Sequence, residues 1–516
     1  MSRLRALTLV LCGLLITAVA GAEVSLHPLF SDHMVLQQGE RIPVWGKAAP
    51  GEEVTVTIGP RKDDDRADEN GNWMVRLRRL EAGGPYEMTV TGESNTVTVS
   101  DVLVGEVWVA SGQSNMQWTV GNSMNAEEEI ANANYPEMRL FYVPRKTADT
   151  PQETVEAQWQ RTTPETIPDF SAVAYFFGRE LHQQLGVPVG MIHTSWGGTP
   201  SEAWTSREKL EETPEAKPIL DRWENIVAKY PETLEAYNKT LEEWKKAADQ
   251  AKKDGKDAPA KPRAPLSPDH PHRPTSLYNA MIAPLVPYAI KGAIWYQGES
   301  NASRAYQYRT IFPAMIEDWR EQWDQGKFPF LFVQLANFRE RKEEPAESDW
   351  AELREAQVMT LDLKNTGMAV IIDIGEADNI HPKNKQDVGK RLAAWTLAKD
   401  YNRDVVPSGP LFRSARFRNG KATIKFDYDD GGLMAKGSEL KGFAIAGPDR
   451  KFVWANAEIT GRKNKKVQVW SDKVPEPVAV RYGWADNPEC TLYNEAGLPA
   501  SPFRTDDWPG ITINNK

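Results

Sequence analysis

Ser114 stands in the segment Val107-Trp108-Val109-Ala110-Ser111-Gly112-Gln113-Ser114-Asn115-Met116, an apolar run that stops abruptly at small and amide residues. The run reads as a buried strand, and an open α/β sheet does its chemistry just beyond the carboxyl ends of its strands. A serine at such a point is a candidate nucleophile. A second apolar run, 368–374, precedes Asp378-Asn379-Ile380-His381, a histidine with a carboxylate three residues before it. Serine, histidine and carboxylate are the parts that acyl transfer needs. The hydroxyl attacks, the imidazole takes its proton, and the anion orients the ring and stabilises its charged form. A serine after a strand is more often a helix cap, so the assignment rests on its surroundings.

Two more polar loops follow apolar runs. Trp196-Gly197-Gly198-Thr199-Pro200 comes after 187–193, and consecutive glycines let backbone N–H groups approach a ligand oxygen closely. Tyr296-Gln297-Gly298-Glu299-Ser300-Asn301 comes after 292–296 and supplies amide side chains as donors. Four such loops at the ends of four parallel strands meet in one cleft. Gln113 and Asn115 flank the serine, and Asn115 reads as a residue that fixes the loop. Glu299 is either a second carboxylate for His381 or a structural cap. The elbow Gly-x-Ser-x-Gly is absent, because Met116 stands where its last glycine belongs, so this is not an ordinary α/β-hydrolase.

The other candidates are weaker. His193 ends a strand and reads as packed rather than as the base. His270 and His272 lie close together in Asp269-His270-Pro271-His272, but a metal needs three or more converging ligands and no others are evident. No metal and no cofactor are expected. Trp118, Trp196, Trp204 and Trp295, out of 18 tryptophans, lie near the loops and could stack on sugar rings.

The elements that must hold these loops follow from the pattern. Residues 23–100 read as a small β-sandwich: 53–58 alternates with period two, and short strands follow between Gly and Asp/Asn turns. Residues 101–404 alternate between strand and helix, with strands at 102–109, 187–193, 292–296, 330–335 and 369–374. Helices are expected at 174–185, 305–323, 350–361 and 384–400. This predicts an α/β fold with a parallel sheet covered on both faces. A Glu-, Lys- and Ala-rich stretch, 206–264, interrupts it as a helical insertion. It has either a role near the active face or none in substrate selection. Residues 405–516 read as a second β domain.

At 516 residues the chain has room for about three domains. The formal charge of −10 argues against nucleic acid and anionic membranes as partners. Arg3 and Arg5, a short apolar run and Ala20-Gly21-Ala22 form an export-signal pattern over residues 1–22, placing the mature protein in the periplasm or outside the cell. The run is short for a membrane anchor. Removing it leaves Cys490 as the single cysteine, so no internal disulfide is expected.

The blocks Gly112-Gln113-Ser114-Asn115-Met116, Gly197-Gly198, Gln297-Gly298-Glu299-Ser300-Asn301 and Asp378-x-x-His381 resemble, in order, those of the SGNH hydrolases. His27 to Gln37, Ser276 to Met281 and Val480 to Trp484 resemble the sialate O-acetylesterase branch of carbohydrate esterases, so the likeness spans nearly the whole mature chain. It implies a three-layer α/β/α, flavodoxin-like catalytic domain between the two β domains. It also implies a triad of Ser114, His381 and Asp378. The oxyanion hole it implies is formed by the N–H groups of Ser114 and of Gly197 or Gly198, with the Asn301 side chain. Gln113, Asn115, Gln297, Glu299 and Trp196 are then substrate or loop residues. The superfamily has Gly-x-Asn-Asp in its third block where this chain has Gly298-Glu299-Ser300-Asn301, which leaves Gln297 and Asn301 as rival donors. The implied reaction is removal of O-acetyl groups from a sugar through an acyl-enzyme, with O-acetylated sialic acid as first substrate and acetylated xylan or another polysaccharide as alternative. A reading of another class is a carbohydrate-binding protein that has lost activity. A lipase is disfavoured, since no apolar lid segment is visible.

Overall fold

The computed structural model describes residues 23–516, so the expected export signal, 1–22, lies outside the described residues. The N-terminal strands form as their alternation predicts. In Glu53–Ile58 the buried residues are Val54, Val56 and Ile58, with the intervening threonines partly exposed. Ile42–Lys47 pairs antiparallel with Asn72–Leu77, and Glu53–Ile58 pairs antiparallel with Arg61–Arg66 and Gly83–Thr91.

The sheet that positions the site consists of β1 (Thr96–Gly112), β2 (Tyr135–Tyr142), β3 (Trp159–Thr162), β4 (Val189–Ser195), β5 (Gly292–Tyr296), β6 (Phe330–Val333) and β7 (Thr366–Ala369). Its order is β3-β2-β4-β1-β5-β6-β7, with every pair parallel except the antiparallel edge pair β2 and β3. At 17 residues β1 is long for a strand. Its first half pairs with Gly83–Thr91 and its second half with β4 and β5. One strand therefore belongs to both β systems, and the expected boundary at residue 100 falls inside it.

The helices that matter here are α1 (Ser114–Gln117), α2 (Ala172–Leu185), α3 (Lys217–Lys253), α4 (Ala305–Trp323), α5 (Asp349–Met359) and α6 (Lys385–Lys399). Strand alternation divides the sheet's side chains between two cores. Val109, Trp295 and Phe332 pack on one side with Phe312 and Trp319 of α4 and Leu353 of α5. Trp108, Tyr296 and Val333 pack on the other with Phe177 of α2 and Val388 and Trp395 of α6. Near-continuous apolar strands are what burial on both faces requires.

Two differences from expectation have physical causes. The run 369–374 is apolar because it is buried, not because it is strand. The ladder ends at Ala369, and Arg391 then captures the Val370 carbonyl (2.8 Å) and the Asp373 carboxylate (2.6 Å). The insertion 206–264 is mainly the single 37-residue helix α3, which buries Ile219, Leu220 and Trp223 near its start and runs outward. The C-terminal strands enclose their own core around Ile424, Ile445, Val467 and Tyr482. They are tied to the seven-stranded sheet by Arg354 of α5, which is fully buried and donates to the carbonyls of Leu335, Ala336, Ala485 and Asp486.

Candidate active site

The chain leaves β1 at the point where its neighbours diverge: β4 lies on one side and β5 on the other. Such a switch point opens a crevice at the carboxyl ends of the strands. In register, Gly112 lies between Ser195 and Tyr296, so three strands end at one level. Gly112 has φ +139°, and a Cβ there would stand 2.2 Å from the Tyr296 carbonyl oxygen, so only glycine fits. The Trp196 N–H donates to the Gly112 carbonyl (3.1 Å) and the Gln113 N–H to that of Tyr296 (3.0 Å). Gln113 precedes α1, and its Oε1 accepts from the Ser300 N–H (3.2 Å), stitching the serine turn to the loop after β5. Ser114 opens α1. First-turn N–H groups have no partner inside a helix, and those of Ser114 and Asn115 find none elsewhere among the described residues.

The glycine loop closes against this turn. A Cβ on Gly197 would lie 3.3 Å from the Ser114 Cβ, so the two backbones are in contact. The Gly197 N–H is already given to Gln117 Oε1 (2.7 Å), whereas that of Gly198, at φ +77°, has no partner among the described residues. Thr199 accepts from the Trp204 indole (2.9 Å) and donates to the Trp196 carbonyl (2.7 Å), which holds the loop's far end.

The rivalry between Gln297 and Asn301 resolves toward structure. Gln297 is fully buried and commits its amide hydrogens to the Thr199 carbonyl (3.2 Å) and Asn301 Oδ1 (2.6 Å), which removes it as an oxyanion donor. Asn301 Oδ1 also accepts from the Ser201 N–H (3.0 Å), and its Nδ2 donates to Glu202 (2.9 Å). At 1% exposure it faces a buried network, with one hydrogen left uncommitted. Glu202 was not singled out in the sequence. Burial pushes its carboxyl up, but Arg304 and Asn301 outweigh burial and hold it below the usual range.

His381 reaches the serine turn from the opposite side. Its ring stacks on Trp118, four residues after Ser114, with centroids 4.9 Å apart and planes 15° apart. Asn115 Nδ2 donates to the Ile380 carbonyl (3.0 Å), the residue before it. Burial, and then the charge of Lys385, lower the pKa of the imidazole and favour its neutral, basic form. Among the described residues the ring makes no hydrogen bond with Ser114 or Asp378. Asp378 is exposed and its carboxylate has no partner, while Asn379 Oδ1 takes the His381 N–H (3.0 Å). The structure thus brings Ser114 and His381 to one turn and leaves the Ser114–His381 and His381–Asp378 contacts unmade.

Beneath them lies a group that the sequence reading missed. Lys385, at the start of α6, has 0% exposure and donates to Asn115 Oδ1 (2.5 Å). Asn115 Nδ2 in turn donates to Glu299 Oε1 (2.6 Å). Burial raises the Glu299 pKa and pushes the Lys385 ammonium down to about 7. A lysine at a helix N-terminus, where the dipole disfavours a cation, was the signal available in the sequence.

The remaining candidates separate cleanly. His193 is buried, bonded through Nε2 to Ser195 (2.6 Å), and pushed down to about 3 by burial, as suits a packed residue. Trp204 and Trp295 are fully buried core residues and cannot stack on a sugar, whereas Trp118 and Trp196 remain partly exposed. Arg145 sits over Trp196 at 5.9 Å. His272 approaches Gly198 across the cleft, 3.8 Å from where a Cβ would be, and His270 packs between it and Trp223 of α3. No group of three or more metal-ligating side chains occurs among the described residues.

Residues 267–398 match the family model described as carbohydrate esterase, sialic acid-specific acetylesterase. The chain is 31% identical over 533 residues to the sialate O-acetylesterase of Homo sapiens, covering 94% of this chain and 93% of that one. It is 30% identical to the Mus musculus enzyme of the same name, covering 92% of each. Among solved structures, a carbohydrate acetylesterase from Xanthomonas citri superposes with a TM-score of 0.80 at 39% identity, covering 94% of this chain and all of that one.

Proposed function

We propose, for a chain that belongs to the sialate O-acetylesterase family and is a carbohydrate esterase, that acetyl groups are removed through a covalent intermediate on Ser114. Ser114 Oγ attacks the ester carbonyl while His381 takes its proton. The same imidazole then returns a proton to the departing sugar hydroxyl, and water attacks the acyl-enzyme to release acetate. The free N–H groups of Ser114 and Gly198 receive the oxyanion, each such donor being worth about 3 kcal/mol of barrier. Asp378 is the third member of the triad. In its support, the other carboxylates of these loops are engaged, Glu299 by Asn115, Glu376 by Asn379 and Lys383, and Asp373 by Arg391, whereas that of Asp378 is free to turn onto the ring. Catalytic hydrogen bonds often tighten only once substrate is bound.

The observation that carries this reading is the serine at a switch point, at the N-terminus of α1, with a neutral-leaning histidine stacked four residues on. The substrate proposed is an O-acetylated sialic acid, after the curated relatives. Acetylated polysaccharide is the second reading, favoured by the higher identity to a protein described only as a carbohydrate acetylesterase. Export of the mature chain rests on the sequence of residues 1–22. No helix among the described residues is long and apolar enough to cross a membrane.

The test is acetate release from acetylated sialic acid, acetylated xylan and 4-nitrophenyl acetate, side by side. Ser114→Ala abolishes release on all three, and the preferred natural substrate decides between the sugars. Asp378→Asn lowers kcat by about 100-fold or more if it orients the imidazole. A value within about threefold of wild type removes Asp378 from the triad.

A further inference from the structure

Lys385, Asn115 and Glu299 form a relay that joins three of the four loops. Asn115 belongs to the serine turn, Glu299 to the loop after β5, and Lys385 to the segment that carries His381. The orientation of the amide is dictated by its neighbours. A flip would set NH2 against the ammonium and the carbonyl oxygen against the carboxylate, both repulsive. In the orientation that remains, both Nδ2 hydrogens are used, one on Glu299 and one on the Ile380 carbonyl. The asparagine beside the nucleophile therefore grips the residue before the base, and is itself gripped from below by Lys385. The ammonium also lies over the Tyr296 ring at 5.0 Å.

Packing alone does not call for this arrangement. A buried ion pair is weak evidence for stability, because apolar side chains of similar volume often serve as well or better. Here the groups are incompletely satisfied: Glu299 Oε2 and the Tyr296 hydroxyl are shut off from solvent without partners among the described residues.

We propose that Lys385 is a positioning residue for the esterase reaction: with Glu299, through Asn115, it locks the Ile380–His381 segment to the serine turn. This rests on the Ser114–His381 reading above. The lock acts on geometry and on charge together. The charged groups that face it are Glu299 and Glu376, and it in turn disfavours a proton on His381. The base must be neutral to work, so this charge extends activity toward acid.

The experiment compares Lys385→Met, Lys385→Arg, Glu299→Gln and the double variant Glu299→Gln/Lys385→Met in the full mature chain. Read-outs are kcat and KM on 4-nitrophenyl acetate, the pH profile of kcat/KM, and the melting midpoint. Lys385→Met is expected to lose kcat about 100-fold with KM within about threefold, and to melt lower because Glu299 is left alone. The double variant removes both charges. Its midpoint is expected to recover while its kcat stays low, and the acid limb of its profile moves to higher pH, because the Lys385 charge that holds the imidazole neutral is gone. Lys385→Arg retains the charge and keeps that limb in place. Recovery of kcat in the double variant, or a rate loss that only tracks the folded fraction, overturns the proposal. If the wild type releases no Ser114-dependent acetate, the esterase reading fails by itself. The lock is then judged on the His381 ring titration, followed by NMR of histidine-labelled protein. An upward shift in Lys385→Met supports the lock, and an unmoved titration overturns it.

Discussion

One loop, 297–304, feeds two polar networks that point in opposite directions. On one side Asn301 joins Glu202, Arg304, Gln297 and the Ser201 backbone, and both Glu202 oxygens are engaged. On the other, Glu299 meets Asn115 and Lys385, one carboxylate oxygen is orphaned, and the lysine is driven far from its ordinary range. The first lies under the glycine loop and the second under the serine and histidine. A satisfied buried network rigidifies its surroundings, and an unsatisfied one carries a standing cost. The contrast fits the proposed division, with the Glu202 side as scaffold and the Glu299 side holding the serine turn to the His381 segment.

The sharpest way to break that contrast is Arg304→Ala. It leaves Glu202, at 1% exposure, without its cation, and removing one partner of a buried pair costs about 3–5 kcal/mol. A large drop in the urea midpoint is expected, with kcat per folded molecule within a few-fold of wild type. A variant that unfolds no earlier yet turns over 100-fold more slowly would reverse the two roles. Asn115→Ala reports on the other side. It severs the Ile380 carbonyl from the serine turn, so kcat should fall by about 100-fold, equivalent to about 2.7 kcal/mol of barrier, with a smaller change in the urea midpoint. Stopped-flow acylation with an aryl acetate separates the rate effect from stability.

How far the sequence reveals this contrast depends on burial. The four loops are legible because each follows an apolar run, and the polar break after such a run marks where buried chain, strand or not, reaches the surface. Ser114, Gly198 and His381 stand out in the sequence for that reason. The expected boundary at residue 100 falls inside β1, which continues as one strand through two sheets, and nothing in its composition changes there. Strand 369–374 was misplaced because buried irregular chain and buried strand are equally apolar. The two networks were invisible for a related reason: Glu202 and Lys385 belong to residue types that almost always face solvent, and only tertiary packing makes them buried. Gln297 and Asn301 looked like donors for a ligand because a sequence shows the capacity of an amide to donate, not the partners that already hold it.

The smallest effect separates the networks by pH. Glu202 is held below its ordinary pKa by Arg304 and Asn301, net of burial, so its ionisation favours the folded state. That contribution is complete above the unfolded value, near 4.3, and is lost as pH falls through the lower folded value. Glu299 is raised by burial, so its ionisation opposes folding. That penalty is present above the raised value and is relieved as pH falls from there toward the unfolded one. Lys385, pushed down to about 7, is almost fully charged below about pH 5.5 and adds little slope there. Melting midpoints between pH 5.5 and 3.5 should therefore diverge in sign. Relative to Glu299→Gln/Lys385→Met, the wild type should gain stability on acidification. Relative to Glu202→Gln, it should lose its advantage below about pH 4.5. Two curves of the same sign would mean that both carboxylates are scaffold and that the distinction between the two sides of the loop does not hold.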